Sequence, residues 1–173
     1  AEELQQNLLP REDPQVEGLE VAGISIYCDE TGGGYYDYFR LPQNRLGIVV
    51  ADASGHGVGA AMHMATVRAF LHSGIRDYVS PAKLLDDVNL HVTRDSSKTG
   101  RFMSMFFLEI DPEDKTLKWV RAGHEPALLY NMDTKTFDRL DGKGMVLGVD
   151  ESYRYIDNYR DGWKAGNIIF IGT

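Results

Sequence analysis

The spacing of hydrophobic residues in the first third of the chain predicts three strands. Apolar residues alternate with polar ones over residues 19–27, which is typical of a strand with one buried face. Two further apolar runs, residues 35–41 and 46–51, flank the turn-forming segment Pro42-Gln43-Asn44 and predict a hairpin.

The middle of the chain has the period of helices. Between Val58 and about Ile75, apolar residues recur at helical spacing, and we expect that stripe to pack against a sheet. Ser80 and Pro81 are typical of the start of a second helix, because Ser caps free backbone amides and Pro fits the first turn. The predicted buried residues are Val58, Met62, Ala65 and Ala69 in the first helix, and Leu84, Leu85, Val88 and Val92 in the second.

The second half of the chain is rich in predicted strands. Residues 102–110 are so continuously apolar that we place this strand at the centre of a sheet. A turn at residues 111–114 follows. Shorter strands are predicted near residues 117–122, 127–130, 136–140, 153–159 and 168–171. Strands, then two helices, then more strands indicate an α+β fold of antiparallel sheets with helices packed outside, and not a doubly wound parallel sheet.

Composition narrows the classes of partner. The formal charge of -8, from 26 acidic and 18 basic residues, argues against nucleic acid or an anionic membrane as the main partner. No apolar run reaches the roughly 20 residues that a membrane span requires. Cys28 is the single cysteine of the sequence and cannot form an internal disulfide, which indicates a reducing cytoplasm.

The segment from Val49 to Gly57 joins an apolar strand to a glycine-rich turn. Asp52 lies at the predicted strand end, with no basic neighbour in the segment to neutralise it. The glycines on either side of His56 allow the backbone to approach a ligand, and the following helix would direct free amide groups at an anion. A carboxylate beside an anion site indicates metal-assisted phosphate chemistry. The alternative is that Asp52 and Ser54 only cap the helix after a tight turn.

A second glycine-rich segment, Thr31-Gly32-Gly33-Gly34-Tyr35-Tyr36-Asp37-Tyr38-Phe39, lies upstream. The two segments resemble the Gly-Gly-Asp-Tyr-Tyr-Asp-Phe and Val-Ala-Asp-Val-Ser-Gly-His-Gly motifs of the bacterial PPM-type (protein phosphatase 2C-like) serine/threonine phosphatases of the SpoIIE and RsbU kind. Further matches occur in the family's order. They are Leu8-Leu9-Pro10, residues 102–107, Ala122-Gly123-His124-Glu125-Pro126 and Leu147-Gly148-Val149.

The resemblance implies a fold and a domain organisation. The fold would be a four-layer α-β-β-α sandwich of two antiparallel sheets flanked by helices. Residues 1–10 would be the end of a linker helix from an upstream regulatory domain, and residues 11–173 a phosphatase domain that lacks the family's C-terminal helix and strand. Loss of those elements would uncover a sheet edge, so we expect that two chains can pair as a homodimer.

The resemblance also implies the chemistry. The family uses two Mn²⁺ or Mg²⁺ ions, and a water between such ions loses its proton near neutral pH and attacks the phosphate ester. Hard cations prefer oxygen ligands. Asp52 is therefore assigned as the bridging ligand, and the backbone carbonyl of Ala53 as a second ligand.

Three further residues are assigned roles. His56 would protonate the leaving serine or threonine oxygen; alternatively, it is a turn residue bonded to backbone. Asp37 would steady metal-bound waters as part of the catalytic machinery, or it is a strand-end acid bonded to a loop amide. We expect His124, in a tight turn between strands, to be a hydrogen-bonding brace.

Two departures from the family pattern affect the predicted activity. Gly34 stands where the family has the acid of Gly-Gly-Asp, and the sequence ends at Thr173, before the Asp of the family's Thr-Asp-Gly motif. Of the family's four metal-site acids, the sequence contains Asp52. With one carboxylate, two dications would stay largely hydrated and weakly held.

The sequence therefore predicts a metal-dependent phosphoserine and phosphothreonine phosphatase domain that is inactive or impaired as a 173-residue polypeptide. Its substrate would be a phosphorylated protein, such as an anti-sigma factor antagonist, under the control of an upstream sensor or receiver domain. The alternative is a catalytically dead phosphatase fold that binds a signalling partner, which Gly34 favours. A third class, the diguanylate cyclases, has a motif similar to Gly-Gly-Gly-Tyr-Tyr. This interpretation does not account for the segments Asp52 to Gly57 and Ala122 to Pro126.

Overall fold

The structure of the chain, a computed structural model, describes residues 5–26 and 32–173. Its main elements are two helices and eight strands within those ranges. In chain order they are β1 (Gly34–Leu41), β2 (Arg45–Ala53), α1 (Gly57–Gly74), α2 (Pro81–Ser96), β3 (Met103–Asp111), β4 (Thr116–Ala122), β5 (Ala127–Asn131), β6 (Thr136–Leu140), β7 (Asn158–Asp161) and β8 (Ile168–Phe170).

The strands form two antiparallel sheets. One has five strands in the order β1-β2-β3-β4-β7, and the other has three in the order β6-β5-β8. One hydrophobic core joins the helices to the larger sheet, and a second core joins the two sheets. The described layers are therefore helices, large sheet and small sheet. The predicted α+β fold of antiparallel sheets with helices outside is confirmed.

Strand β3 lies in the middle of the larger sheet and is buried on both faces. Met105 and Phe107 point into the core beneath the helices, whereas Phe106 and Leu108 point into the core between the sheets. All four side chains are 0% exposed. The central position predicted from the continuous apolar run is confirmed.

The hairpin predicted in the first third of the chain is also confirmed. Strands β1 and β2 pair antiparallel over the whole length of β1, from Gly34 opposite Asp52 to Leu41 opposite Arg45. A short 3-10 turn, Pro42–Asn44, joins them. This register brings the two glycine-rich segments of the sequence together at one end of the hairpin.

Helix α2 begins and packs as predicted. The side chain of Ser80 accepts a hydrogen bond from the backbone N–H of Lys83 at 3.2 Å, and Pro81 occupies the first turn. The four predicted core residues, Leu84, Leu85, Val88 and Val92, are all buried.

Helix α1 lies where it was predicted, but the predicted buried face was wrong. Val58 is 60% exposed and Met62 is 67% exposed. The buried residues are instead Ala60, Met64, Val67 and Leu71. Apolar and small residues occur around most of this helix, so two stripes satisfy helical spacing and the pattern alone does not choose between them. Within the described ranges, no helix is long and apolar enough to cross a membrane.

Two strand predictions need correction. Residues 20–26 form no strand, and Ile24 and Ile26 are 79% and 81% exposed, because no described strand pairs with this segment. Residue 27 and Cys28 lie outside the described residues. The strand predicted at 153–159 is displaced toward the C-terminus, since β7 pairs with β4 from Asn158 onward.

Candidate functional site

Three residues of neighbouring strands form a row at one end of the larger sheet. Asp52 of β2 pairs with Gly34 of β1 on one side and with Ser104 of β3 on the other. Residues paired directly across antiparallel strands present their side chains on the same face. Ile48, four residues before Asp52 on the same strand, packs into the core between the sheets. The row therefore lies on the face of the large sheet that meets the small sheet.

Asp52 is exposed at the end of its strand and accepts no hydrogen bond from the residues that the structure describes. Partial desolvation beside the sheet raises the pKa of this carboxyl above its ordinary value, while the nearby His124 acts in the opposite direction. The carboxylate is thus exposed, and no amide of the described residues donates a hydrogen bond to it. It is available to a ligand.

Gly34 has room for a side chain. A Cβ built there would have no atom of the described residues within 4 Å, and the backbone is not in the left-handed region. Directly opposed Cβ atoms on antiparallel strands lie about 4.5–5.5 Å apart. A side chain at position 34 would consequently begin beside that of Asp52, and its Cβ would displace none of the described residues.

His124 connects the row to the end of the smaller sheet. Its Nδ1 lies 2.8 Å from the hydroxyl of Ser104, and its Nε2 lies 3.1 Å from the carbonyl of Gly172. A carbonyl can only accept, so Nε2 carries the proton, and in the neutral ring the Ser104 hydroxyl donates to Nδ1. Burial lowers the pKa of His124, which favours this neutral form. These contacts are those of the predicted hydrogen-bonding brace.

The turn after Asp52 does not use the capping arrangement considered as an alternative. His56 occupies the residue before α1, is exposed, and makes no side-chain cap hydrogen bond. The hydroxyl of Ser54 accepts from the backbone N–H of Phe102 at 3.0 Å instead. Gly55 and Gly57 have φ of 87° and 71°, which only glycine adopts readily.

The structure does not bring Asp37 to the row. Asp37 pairs with Val49 in the hairpin register, and its carboxylate lies on the helix-facing side of the sheet, 7% exposed. It accepts from the hydroxyl of Tyr35 at 2.6 Å and lies 2.6 Å from Nε2 of His72. The predicted role of Asp37 in steadying metal-bound waters stays a prediction. Asp37 would have to act on the waters from the opposite face of β1.

The described residues supply a small donor set for a metal. A side chain at Gly33 would overlap the carbonyl oxygen of Ala53, so the glycine permits a close approach of β1 to the assigned second ligand. The described part of the chain contains no group of three or more His, Cys, Asp or Glu side chains that could hold an ion. The residues present therefore fit one largely hydrated cation on Asp52 and do not fit a closed site for two cations.

Sequence reasoning missed Ser104. The residue is a polar side chain in the strand Met103–Asp111, whose other members are mostly apolar and buried. A hydroxyl in such a strand needs a hydrogen-bond partner. That requirement was a usable signal, although the identity of the partner, His124, depends on how β4 returns to β3.

With this geometry established, comparison with known proteins identifies the family. The sequence profile described as "Stage II sporulation protein E (SpoIIE)" matches residues 42–173. The chain therefore belongs to the SpoIIE family. The phosphoserine phosphatase RsbU of Bacillus subtilis (strain 168) is 30% identical over 155 residues, which cover 90% of this chain and 46% of that protein.

Solved structures agree with the fold. The RsbU and RsbW domains of Rv1364c from Mycobacterium tuberculosis match with a TM-score of 0.69 and 25% identity, covering 84% of this chain and 40% of that one. The PP2C phosphatase domain of SpoIIE from Bacillus subtilis, with a fragment of its regulatory domain, matches with a TM-score of 0.68 and 14% identity, covering 80% and 40%. The chain thus spans less than half the length of these relatives.

Proposed function

We propose that the whole protein is a metal-dependent phosphatase that hydrolyses phosphoserine or phosphothreonine on a regulatory protein. The observation that carries the proposal is the Asp52 carboxylate, exposed at a strand end, free of described hydrogen bonds, and paired with an open position at Gly34. Membership of the SpoIIE family and similarity to the phosphoserine phosphatase RsbU support it.

In this proposal the residues of the row have distinct roles. Asp52 and the carbonyl of Ala53 are cation ligands, and position 34 is where a further acid would stand beside them. His56, exposed beside the row, donates a proton to the leaving oxygen. Asp37 steadies the metal-bound waters only indirectly, by supporting β1 from the helix side. Divalent ions held there would supply the attacking hydroxide.

The 173-residue polypeptide itself is proposed to be inactive or impaired, since one carboxylate leaves the cations weakly held. The test is Mn²⁺ titration by calorimetry with a phosphoserine peptide assay, on the chain as given and on Gly34→Asp. We expect Gly34→Asp to bind Mn²⁺ at least tenfold more tightly. Gly34→Asn is the matched control, because it adds similar volume without the charge.

Two outcomes would contradict these proposals. Robust hydrolysis of the phosphoserine peptide by the unchanged chain would show that the proposed impairment does not exist. Equal Mn²⁺ binding by Gly34→Asp and Gly34→Asn would show that position 34 is not part of a cation site. A double variant that combines Asp52→Asn with Gly34→Asp tests whether both acids hold the same ion. We expect this variant to lose Mn²⁺ binding.

A second candidate function is a phosphatase fold that binds a signalling partner without turning it over. Gly34 at the position of a family acid is the observation that favours it. Under this alternative, a phosphoserine peptide binds in calorimetry without Mn²⁺, and Gly34→Asp leaves that affinity unchanged. Release of phosphate by Gly34→Asp would decide for the enzyme.

The family resemblance supports the substrate and its upstream control, the single cysteine supports the location, and the edge strand β8 supports the pairing. We propose a phosphorylated anti-sigma factor antagonist as the substrate, control by an upstream sensor or receiver domain, a cytoplasmic location, and pairing of two chains. A monomer at high concentration in light scattering would contradict the pairing.

A further inference from the structure

The side chain of Gln5 is bound to the backbone of the first glycine-rich segment. Its amide group donates to the carbonyl of Gly32, and its Oε1 accepts from the N–H of Gly32 at 3.2 Å. Gln5 is 3% exposed. A primary amide is the side-chain group that can satisfy a backbone N–H and a backbone C=O together, as a neighbouring strand would.

Gly32 leads directly into the row that contains Asp52. The carbonyl of the next residue, Gly33, accepts from the N–H of Ala53 at 3.1 Å, and the residue after that, Gly34, pairs with Asp52. The hydrogen bonds of Gln5 therefore fix the backbone two residues before position 34.

The segment that carries Gln5 is itself fixed to the rest of the domain. Nε of Arg68, on helix α1, donates to the carbonyl of Leu8 at 2.8 Å. Leu8 and Leu9 pack against the core between the helices and the large sheet. Contacts that do not involve Gly32 thus set the position of residues 5–9 relative to α1. The hydrogen bonds of Gln5 then hold the start of β1 in a fixed position relative to these residues.

We propose that Gln5 is a positioning residue for the Asp52 site, which sets where position 34 stands opposite Asp52. The proposal deepens the proposed function and rests on it for the meaning of the site. A displacement of residues 5–9 would release Gly32 and loosen the pairing of Gly34 with Asp52. The N-terminal segment then controls the geometry of the row without contributing a ligand.

Two variants test this role. Gln5→Glu keeps the size of the side chain but replaces the donor with a carboxylate that faces the Gly32 carbonyl. Gln5→Met keeps the length, adds no charge and removes both hydrogen bonds. Gln15→Glu is the matched control, because it introduces the same charge at an exposed glutamine of the N-terminal segment.

The first measurement is amide hydrogen exchange by NMR without metal. Both Gln5 variants should accelerate exchange at Gly32 and Ala53 at least tenfold, while the amides of helix α2 change less than twofold. The control should change neither. A uniform acceleration of all amides, as a loss of global stability would produce, would overturn the proposal. So would unchanged exchange at Gly32 and Ala53.

The second measurement is Mn²⁺ affinity in the Gly34→Asp background. We expect Gln5→Met to weaken it at least fivefold and Gln15→Glu to leave it unchanged. Equal affinity with and without Gln5 would overturn the positioning role. If Gly34→Asp itself does not bind Mn²⁺, the proposed function fails, and the exchange measurement alone decides whether Gln5 fixes the start of β1.

Discussion

Asp37 and Asp52 lie on paired strands, yet their carboxylates have opposite surroundings. Asp37 faces the helices, is nearly buried, and contacts the Tyr35 hydroxyl and the His72 ring, both at 2.6 Å. Asp52 faces the other sheet, is exposed, and has no hydrogen bond from the described residues. The difference arises from the two-residue period of strands, because the register that pairs Gly34 with Asp52 directs Asp37 to the other face.

The comparison separates two uses of the same residue type. A carboxylate whose acceptor positions are filled by protein donors contributes to the fold and has little left for a ligand. A carboxylate without such donors contributes little to the fold and is available for binding. The following predictions test whether Asp37 and Asp52 divide in this way, beginning with the largest expected effect.

Asp37→Ala should lower the free energy of unfolding by about 3 kcal/mol, because it leaves the Tyr35 hydroxyl and the His72 ring without their buried acceptor. Urea denaturation followed by circular dichroism measures this. The matched control is Asp87→Ala, which removes an exposed acid whose ion pair with Lys83 spans 2.5 Å and should cost about 0.5 kcal/mol or less. Equal losses in the two variants would contradict a structural role for Asp37.

His63 extends the comparison to an ionisable ring on the helices, one of whose nitrogens lacks a hydrogen bond among the described residues. Its Nε2 is buried without a hydrogen bond among the described residues, and burial lowers the pKa of the ring. As pH falls, His63 is therefore protonated in the unfolded chain before it is protonated in the folded protein. The free energy of unfolding consequently decreases as pH falls below the ordinary histidine pKa of about 6.5. His63→Leu should raise the free energy of unfolding by about 1 kcal/mol at pH 7.5.

The same substitution should flatten the dependence of stability on pH. Urea denaturation at pH 7.5 and at pH 5.5 compares the two proteins. His63→Leu should still lose some stability at pH 5.5, because burial also lowers the pKa of His124. If the free energy of unfolding differs between the two pH values by the same amount in both proteins, His63 does not contribute to the pH dependence of stability.

Asp52→Asn should produce the smallest effect on stability, with the opposite sign to Asp37→Ala. Desolvation raises the pKa of Asp52, so its ionised form costs stability as pH rises above the ordinary carboxyl value of about 3.9. Because the side chain is exposed, we expect a gain of about 0.5 kcal/mol or less at pH 7 and none at pH 3. A clear loss of stability at pH 7 would show that Asp52 has a structural partner.

Strong local signals in the sequence predicted much of the fold. The hairpin, the capped start of helix α2 and the central strand β3 each depend on residues close together in the chain. The buried face of α1 could not be predicted, because Val58 and Met62 fit helical spacing as well as Met64 and Leu71 do. Only the sheet beneath the helix selects between them.

The candidate site was predicted less completely. Asp52 was found because a strand end next to a glycine-rich turn exposes a side chain whatever the sheet order is. The separation of Asp37 from Asp52 depends on the hairpin register, and the contacts of Gln5 and His124 depend on how distant segments return to the sheet. Contacts between residues so far apart in sequence leave no local pattern.

Gly34 leaves the composition of the Asp52 row open to change in evolution. Its backbone conformation is ordinary and no described atom lies near a Cβ built there, while a single base change converts a glycine codon to one for aspartate or glutamate. A lineage can therefore gain or lose an acid beside Asp52 without compensating changes in the described neighbours.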